Sequence, residues 1–458
     1  MRAVACLVLA AGESSRFKSA TPKPLHQMAG RMLLDHVLDT LAELQPQRIT
    51  VVVGVAREQV TKAVGNRAEI AVQEKPLGTG HAVDCARELY QGFDGDILVT
   101  CADIPLVRAA TLQELLAEHR RQAAAGTMLT TKMPDPSGYG RVVRDASGLV
   151  REVVEHKDAD AQTQQIAEIN AGIFCFRAAE LFEALEHLEA DNVQGEYYLP
   201  DTLKYFRAKE MPVAACLAED PDEVMGINDR VQLATAERIC RDRIRQRLMQ
   251  AGVTMIDPAS TYVDTQVSIG ADTVIRPGTQ LLGNSSIGSG CLIGGHVLIE
   301  NSTIGDGCLV RHCSSVTDSR VENEVEIGPF ANIRNNSLIK SQAVIGQAEV
   351  NRTEIGEGSK SRHFSYLGDT VVGAGVNIGA GTVTCNWDGR EHHHTVIEDG
   401  AFIGSDTILV APVRIGRGAY TGAGSVIPSD VPAAALGVAR ARQRIIERWA
   451  ERTGKAKD

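Results

Sequence analysis

A six-residue period runs through the C-terminal half of this 458-residue chain and constrains its fold more than any other feature. Aliphatic residues stand at 263, 269, 275, 281, 287 and 293, then at 304, 310 and 316, and at 327, 333, 339 and 345. They return at 372 and 378, and at 397, 403, 409 and 415. Many precede glycine, as in Ile269-Gly270, Ile287-Gly288, Ile327-Gly328, Ile355-Gly356 and Ile403-Gly404. This is the hexapeptide signature of a parallel β-helix, in which each short flat strand turns one aliphatic side chain inward and small residues make the corners. At about 18 residues per three-sided coil, the span from Val263 to Pro428 predicts roughly nine or ten coils. Composition agrees: 43 glycines suit tight periodic turns, and aromatics at 4% suit a narrow coil. The period breaks at Ser359–Asp369 and at Thr384–Thr395, both read as excursions from the coil, where sites tend to be built.

The length is too great for one core. Before the repeat, short apolar runs alternate with helical patterns. Cys6–Ala10, Ile49–Val53, Ile70–Val72, Ile97–Thr100, Met128–Lys132, Arg141–Val143 and Ile173–Phe176 read as strands. Met32–Leu44, Gly80–Leu89 and Thr111–Ala125 read as helices between them. Such alternation predicts a doubly wound α/β domain with a mostly parallel sheet, whose ligands sit outside the carboxyl ends of the strands. Asn228–Ala251 reads as one helix with Asp229 as N-cap, an apolar stripe through Val231, Leu233, Ala234, Ile239, Ile244 and Leu248, a solvated charged face, and a stop at Gly252. The expected boundaries are 1–227 for the first domain, 228–250 for the connecting helix, 251–440 for the β-helix and 441–458 for a tail ending in helix and disorder.

A net charge of -11 argues against nucleic acid, whose phosphates need a basic face, but not against small phosphorylated ligands. None of the ten cysteines forms a CxxC pair, and Cys308 and Cys313, the closest two, fit repeat positions, so free thiols in a cytoplasmic setting are expected. Val4–Ala11 is too short for a targeting segment and reads as a buried strand, and no stretch is long enough to span a membrane.

The first strand runs into Leu9-Ala10-Ala11-Gly12-Glu-Ser-Ser-Arg16 and then Pro22-Lys23-Pro-Leu25. A small-residue loop there lets backbone N–H groups approach a phosphate or base, with Arg16 and Lys23 adding positive charge. It is neither a Walker loop nor a dinucleotide-binding GxGxxG. Later strand ends supply Gln73 with Leu77-Gly78-Thr79-Gly80, and Cys101-Ala102-Asp103. Asp103 at the end of an apolar strand needs a cation or donor; Mg2+ would suit, and so would a helix N-cap or turn.

With Gly138-Tyr139-Gly140-Arg141, Glu155-His156-Lys157-Asp158, Asn170-Ala-Gly172, Gly195-Glu-Tyr-Tyr198 and Gly226-Ile-Asn228, these segments resemble the sugar-1-phosphate nucleotidyltransferases. In order and spacing the chain is similar to the bifunctional N-acetylglucosamine-1-phosphate uridyltransferases/glucosamine-1-phosphate acetyltransferases. The resemblance covers essentially the whole chain and implies a left-handed β-helix. It further implies that Leu9–Gly12, Gln73, Gly78, Thr79, Cys101 and Ala102 surround the uridine nucleotide. Lys23 and Arg16 would hold phosphates, Gly140, Glu155 and Asn170 the sugar, and Asp103 with Asn228 a magnesium ion. Sugar phosphate then attacks the α-phosphorus of UTP and pyrophosphate leaves, in an early step of peptidoglycan, lipopolysaccharide and cell-envelope precursor synthesis. Two departures stand out. Ser14-Ser15 replaces a Gly-Thr pair usual in the loop, with Ser14 expected to strain or reshape it, and Cys101-Ala102 replaces Tyr-Gly.

In the repeat, His363 beside Tyr366, Lys360 and Arg362 is a candidate general base with phosphate-binding neighbours. Asn377-Ile-Gly-Ala380, Asn386-Trp387, Ser405, Ala423 and Arg440 follow, a run that resembles the acetyltransferase half of the same family. The resemblance implies that His363 takes the amine proton as glucosamine 1-phosphate attacks the acetyl-CoA thioester. Arg334, Tyr366, Asn377 and the residue at 351 would hold the sugar phosphate. Ala380, Asn386, Trp387, Ser405, Ala423 and Arg440 would line the CoA site. Asn351 replaces a substrate-binding lysine, which predicts weaker binding of glucosamine 1-phosphate; Arg352, its neighbour, faces the opposite side of the strand. Trp387 replaces a tyrosine, and His392-His393-His394 is set aside as a metal cluster. A homotrimer with acetyl sites between subunits is implied. The competing readings are an adenylyl- or thymidylyl-transferring relative with a purely structural β-helix, and a regulatory subunit with degenerate sites.

Overall fold

The computed structural model describes residues 2–12, 15–146 and 148–455; Ser14 lies outside them. The chain separates into two compact units, Met1–Cys240 and Arg241–Asp458.

Nine strands form the sheet of the first unit: β1 (Ala3–Ala10), β2 (Arg48–Val53), β3 (Glu69–Val72), β4 (Gly95–Cys101), β5 (Gly126–Lys132), β6 (Arg141–Arg144), β7 (Val150–Val154), β8 (Glu168–Arg177) and β9 (Val213–Leu217). Their order is β9-β5-β8-β4-β1-β2-β3, with the β6–β7 hairpin attached to β8. Strands β4, β1, β2 and β3 run parallel, and β8 is inserted antiparallel between β4 and β5. Each predicted strand segment lies within one of these strands.

Both faces of β1 are apolar because both are covered. Cys6 and Val8 pack with Leu34, Leu38, Leu112 and Leu115 of helices α1 (Leu33–Glu43) and α2 (Ala109–Arg121). Ala5 and Leu7 pack with Val83, Phe176, Leu203 and Phe206 on the other side. The helix predicted over Gly80–Leu89 is broken: an α-helical turn spans Thr79–Asp84 and a 3-10 turn spans Arg87–Tyr90. The tighter second turn swings Tyr90 into the core, where its hydroxyl donates to Thr50 Oγ1 at 3.2 Å and lies 3.3 Å from the Cys6 carbonyl.

The long helix spans Arg230–Gln250, and Asp229 caps it by accepting from the Gln232 N–H at 2.8 Å. The expected stripe is corrected here. Val231 is exposed, as is Ala234, while the buried face runs through Ala236, Ile239, Cys240, Ile244 and Leu248. The charged face is not wholly solvated either. Arg241 is buried against Asp264 at 3.1 Å, and Arg245 donates to the Thr261 carbonyl at 2.9 Å, so their long stems pack while their heads find partners.

In the second unit three parallel sheets of 11, 10 and 9 strands form the faces of a left-handed β-helix. Val274 pairs with Leu292, Leu292 with Leu309 and Leu309 with Glu326, so each coil takes 17 or 18 residues. The inward ladder through Val263, Ile275, Leu281, Ile293, Ile299, Val310, Ile327, Ile333, Ile345 and Val350 is buried. Each such side chain contributes about 1.5–3 kcal/mol. Thr254–Met255 opens one face and Leu436–Gly437 closes it; a short helix, Trp449–Arg452, lies in the exposed tail. All ten cysteines are free thiols.

The first break in the period is not an excursion. Lys360–Ser361 pairs with Val344–Ile345 and with Asn377–Ile378, and Ser365–Gly368 pairs with Ala348–Asn351, all in continuous ladder. The aliphatic signal fails because the inward position is Ser361, buried and bonded to Ser365 at 2.8 Å between hydroxyls, and because the corners are shortened. The second break is a true excursion. Asn377 pairs with Phe402, a coil of 25 residues, and the extra length folds into a hairpin joined by a Trp387–His392 bridge.

Candidate active sites

A cavity of about 450 Å3 opens at the carboxyl ends of β1, β3 and β4. Leu9, Ala10, Ala11, Gly12, Lys23, Gln73, Gly78, Thr79, Cys101, Ala102 and Asp103 all line it. The Ala102 N–H donates to the Leu9 carbonyl at 3.0 Å, which fixes the two loops together. Gly78 has φ +108°, and a Cβ there would lie 2.6 Å from the Tyr197 carbonyl oxygen, so only glycine fits. Gly80 donates to Tyr197 at 2.8 Å and Tyr197 donates to Leu77 at 2.9 Å, which clamps the Gly195–Tyr198 loop onto the site. That clamp brings Glu196 into the lining, a residue the strand-end reading left without a role. Burial pushes the Cys101 thiol up to about 12, so it serves as a neutral wall.

Charge gathers on one side of this cavity. Lys23 Nζ donates to Asp103 Oδ2 at 2.5 Å. The Ile227 N–H donates to the Asp103 carbonyl at 2.9 Å, which brings Asn228 alongside, and Arg16 Nη2 donates to Asn228 Oδ1 at 2.9 Å. Gly140, Glu155 and Asn170 form a separate cluster outside the cavity lining. Asn170 donates to the Gly140 carbonyl at 2.9 Å, and a Cβ on Gly140 would lie 3.0 Å from Glu155 Oε1. Burial raises the Glu155 carboxyl above its ordinary range, reinforced by Asp158, Asp201 and Glu196.

In the second unit a cavity of about 400 Å3 is lined by Arg362, His363, Asn377, Ala380, Ser405 and Ala423, with Phe402 and Thr421 beside them. Phe402 and Thr421 had no role in the sequence reading; they are found only when successive coils are stacked. Arg334, Asn351 and Tyr366 lie on the adjacent face and do not line this cavity. Arg334 pairs in register with Asn351, and its Nη2 donates to Glu349 Oε1 at 2.6 Å. Asn351 is 4% exposed and accepts from Asn335 Nδ2 at 2.8 Å.

Arg352 turns the corner with φ +49°, and Asp369 grips its guanidinium with bonds of 2.6 and 2.8 Å. Asn386 Nδ2 donates to the same carboxylate at 2.5 Å. A Cβ on Gly368 would lie 2.6 Å from both Asn386 Nδ2 and Tyr366 Oη, so this glycine leaves room for both side chains. Trp387 is exposed with its ring 4.8 Å from that of His392, and Arg440 is exposed beyond the last strand. The three histidines diverge: His392 and His394 turn to Asp369, and only His393 joins Asp388 and Glu391 in a group whose ligand atoms lie within 4.8 Å.

The first unit matches the MobA-like NTP transferase domain over residues 6–199, and the second matches the bacterial transferase hexapeptide repeat over 266–301 and 394–429. Relatives named bifunctional protein GlmU match along nearly the full length of both chains. That of Geobacillus sp. is 46% identical, covering 97% of each chain, and that of Trichlorobacter lovleyi is 46% identical, covering 96% of each. That of Geobacillus thermodenitrificans is 47% identical over 97% of each. The chain belongs to the GlmU family.

Membership joins the two cavities in one enzyme, because both units match transferase families. For a magnesium ion, Asp103 in the first cavity offers a carboxylate, and Asn228, held near it by the Ile227–Asp103 backbone bond, offers an amide oxygen; both are hard donors. Magnesium takes one or two protein oxygens and fills its remaining positions with water and phosphate oxygens, so this pair fits it. Among the described residues, no helix is long and apolar enough to cross a membrane.

Proposed function

We propose that this protein carries both transferase activities of its family in UDP-N-acetylglucosamine synthesis. The second unit acetylates glucosamine 1-phosphate from acetyl-CoA, and the first transfers a uridylyl group from UTP to the resulting N-acetylglucosamine 1-phosphate. The observation that carries the reading is the convergence of eleven expected nucleotide-site residues on one cavity, matched by His363, Asn377, Ala380, Ser405 and Ala423 on another.

In uridylyl transfer, the Leu9–Gly12 loop, Gln73, Gly78 and Thr79 enclose uridine. Lys23 and Arg16 meet the phosphates, and Gly140, Glu155 and Asn170 orient the sugar so that its phosphate is aligned with the α-phosphorus. Asp103 and Asn228 would hold the magnesium ion, which supplies neutralisation of charge on the triphosphate. In acetyl transfer, His363 takes the proton from the amine as nitrogen attacks the thioester carbonyl, and the CoA thiolate leaves. The cavity around Ala380, Ser405 and Ala423 holds the CoA arm.

Asn386, Trp387, Arg440 and Tyr366 do not line the His363 cavity, which supports a homotrimer in which a neighbouring copy completes each acetyl site, and the ten free thiols fit the expected cytoplasmic setting. Exposed Phe402 and Tyr420, stacked at 5.4 Å, offer an apolar surface for such packing. Sedimentation equilibrium is expected to give three times the chain mass of 49.1 kDa. The activities are tested by pyrophosphate release from UTP with N-acetylglucosamine 1-phosphate, beside thiol release from acetyl-CoA with glucosamine 1-phosphate. Pyrophosphate without thiol release would leave the β-helix a scaffold.

A further inference from the structure

Both oxygen donors of the proposed magnesium pair are engaged by cationic side chains of the chain itself. Lys23 Nζ is 2.5 Å from Asp103 Oδ2, in an ion pair with side chains only 15% and 24% exposed. Arg16 Nη2 is 2.9 Å from Asn228 Oδ1. A divalent ion arriving at Asp103 would meet the ammonium of Lys23 at close range, where water screens poorly and like charges repel strongly. The same ammonium also lines the cavity in which the nucleotide phosphates would lie.

We propose that Lys23, with Arg16 in support, is an internal competitor of the divalent ion. Each cation holds a metal-ligand oxygen until a triphosphate draws it away, so that metal and nucleotide load together. The proposal rests on the reading that Asp103 and Asn228 are the metal ligands. Its consequence is a coupling between two binding events. Metal alone binds weakly because it must displace Lys23 from its carboxylate. Nucleotide phosphates supply a replacement partner for Lys23 and release the carboxylate to the ion. By linkage, the metal must raise nucleotide affinity by the same factor. A site arranged this way discriminates against metal-free nucleotide and against metal without nucleotide, using side chains already present for substrate binding.

The test measures Mn2+ binding to the full chain by the loss of the free-ion paramagnetic resonance signal, with no nucleotide or sugar present. Lys23→Met is expected to tighten Mn2+ binding by about tenfold or more, within the usual span of coupling between sites. Lys23→Arg, which keeps the charge, should bind as weakly as the parent. Lys75→Met, which removes a cation from the exposed Glu74–Lys75 segment of the cavity loop, should also leave binding unchanged. Adding Asp103→Asn to Lys23→Met should abolish the gain. Equal or weaker Mn2+ binding by Lys23→Met, with binding still lost in Asp103→Asn, would overturn the competition while the ligand assignment stood. Mn2+ binding that ignores Asp103→Asn would overturn the ligand assignment itself. A gain in Lys75→Met equal to that in Lys23→Met would reduce the effect to general surface charge and overturn the proposal.

Discussion

Three groups converge on the carboxylate of Asp369. Arg352 binds both oxygens, Asn386 donates to one, and His392 Nδ1 lies 3.0 Å away. The Arg352 bonds hold the carboxyl down at about 2, against an ordinary 3.8, with Asn386 assisting and burial opposing. Because the folded value is depressed, the stabilisation is complete above the ordinary value and fades as pH falls toward the folded one. Thermal melting should therefore show a stability gap between the parent and Asp369→Asn that is level above about pH 5 and closes between about pH 4 and 2. A gap that widens on acidification would contradict this. The same corner explains Asn351. The family resemblance implies a lysine at this position, and strand alternation was expected to keep Arg352 from replacing it. The structure gives a different reason: the strand ends at Asn351, and Arg352, at the corner beyond it, is already committed to Asp369. Asn351→Lys is expected to lower the KM for glucosamine 1-phosphate about tenfold, the worth of one charge-assisted hydrogen bond; an unchanged KM would refute the idea.

Elements differ in how plainly they are written. The coils are legible because nearly every inward position is a closed, dry site that takes an aliphatic side chain, so the period survives over most of the β-helix. It was misread at Ser359–Asp369, where the buried Ser361, bonded to the half-buried Ser365, stands in place of an aliphatic side chain and the corners shorten. In the nucleotide cavity, Leu9–Gly12, Gln73 and Asp103 were legible because each lies at or just past the end of a strand. Glu196 was not, because only long-range backbone bonds from Tyr197 to Leu77 and Gly80 bring its loop to the site. Phe402 and Thr421 were missed for a related reason: they meet across coils, not along the chain. The Asn386 hairpin depends on the neighbouring coil through Gly368. In Gly368→Ala the new Cβ would collide with Asn386 Nδ2 and Tyr366 Oη, each 2.6 Å away. That variant should lose at least about tenfold in thiol release, since a misplacement of about 1 Å carries a large kinetic cost, while pyrophosphate release is unchanged. Full thiol release would show that neither side chain matters to acetyl transfer.

At the scale of the whole molecule, two compact units each carry a cavity built from their own elements. The fold class of each was readable from patterning, apolar runs alternating with helical stretches in the first and a six-residue period in the second, while the left hand of the β-helix came from the family resemblance. The two chemistries came from particular side chains at strand ends and coil corners. This division implies that the activities fail independently. The most direct measurement follows pyrophosphate release and thiol release in parallel for the parent, Asp103→Asn and His363→Ala. Asp103→Asn should abolish pyrophosphate release and leave thiol release intact. His363→Ala should lower thiol release by about 10²- to 10⁴-fold, the usual share of a general base, and leave pyrophosphate release intact. If either substitution removed both activities, or if the parent released no thiol, two independent transferase sites on one chain would be contradicted.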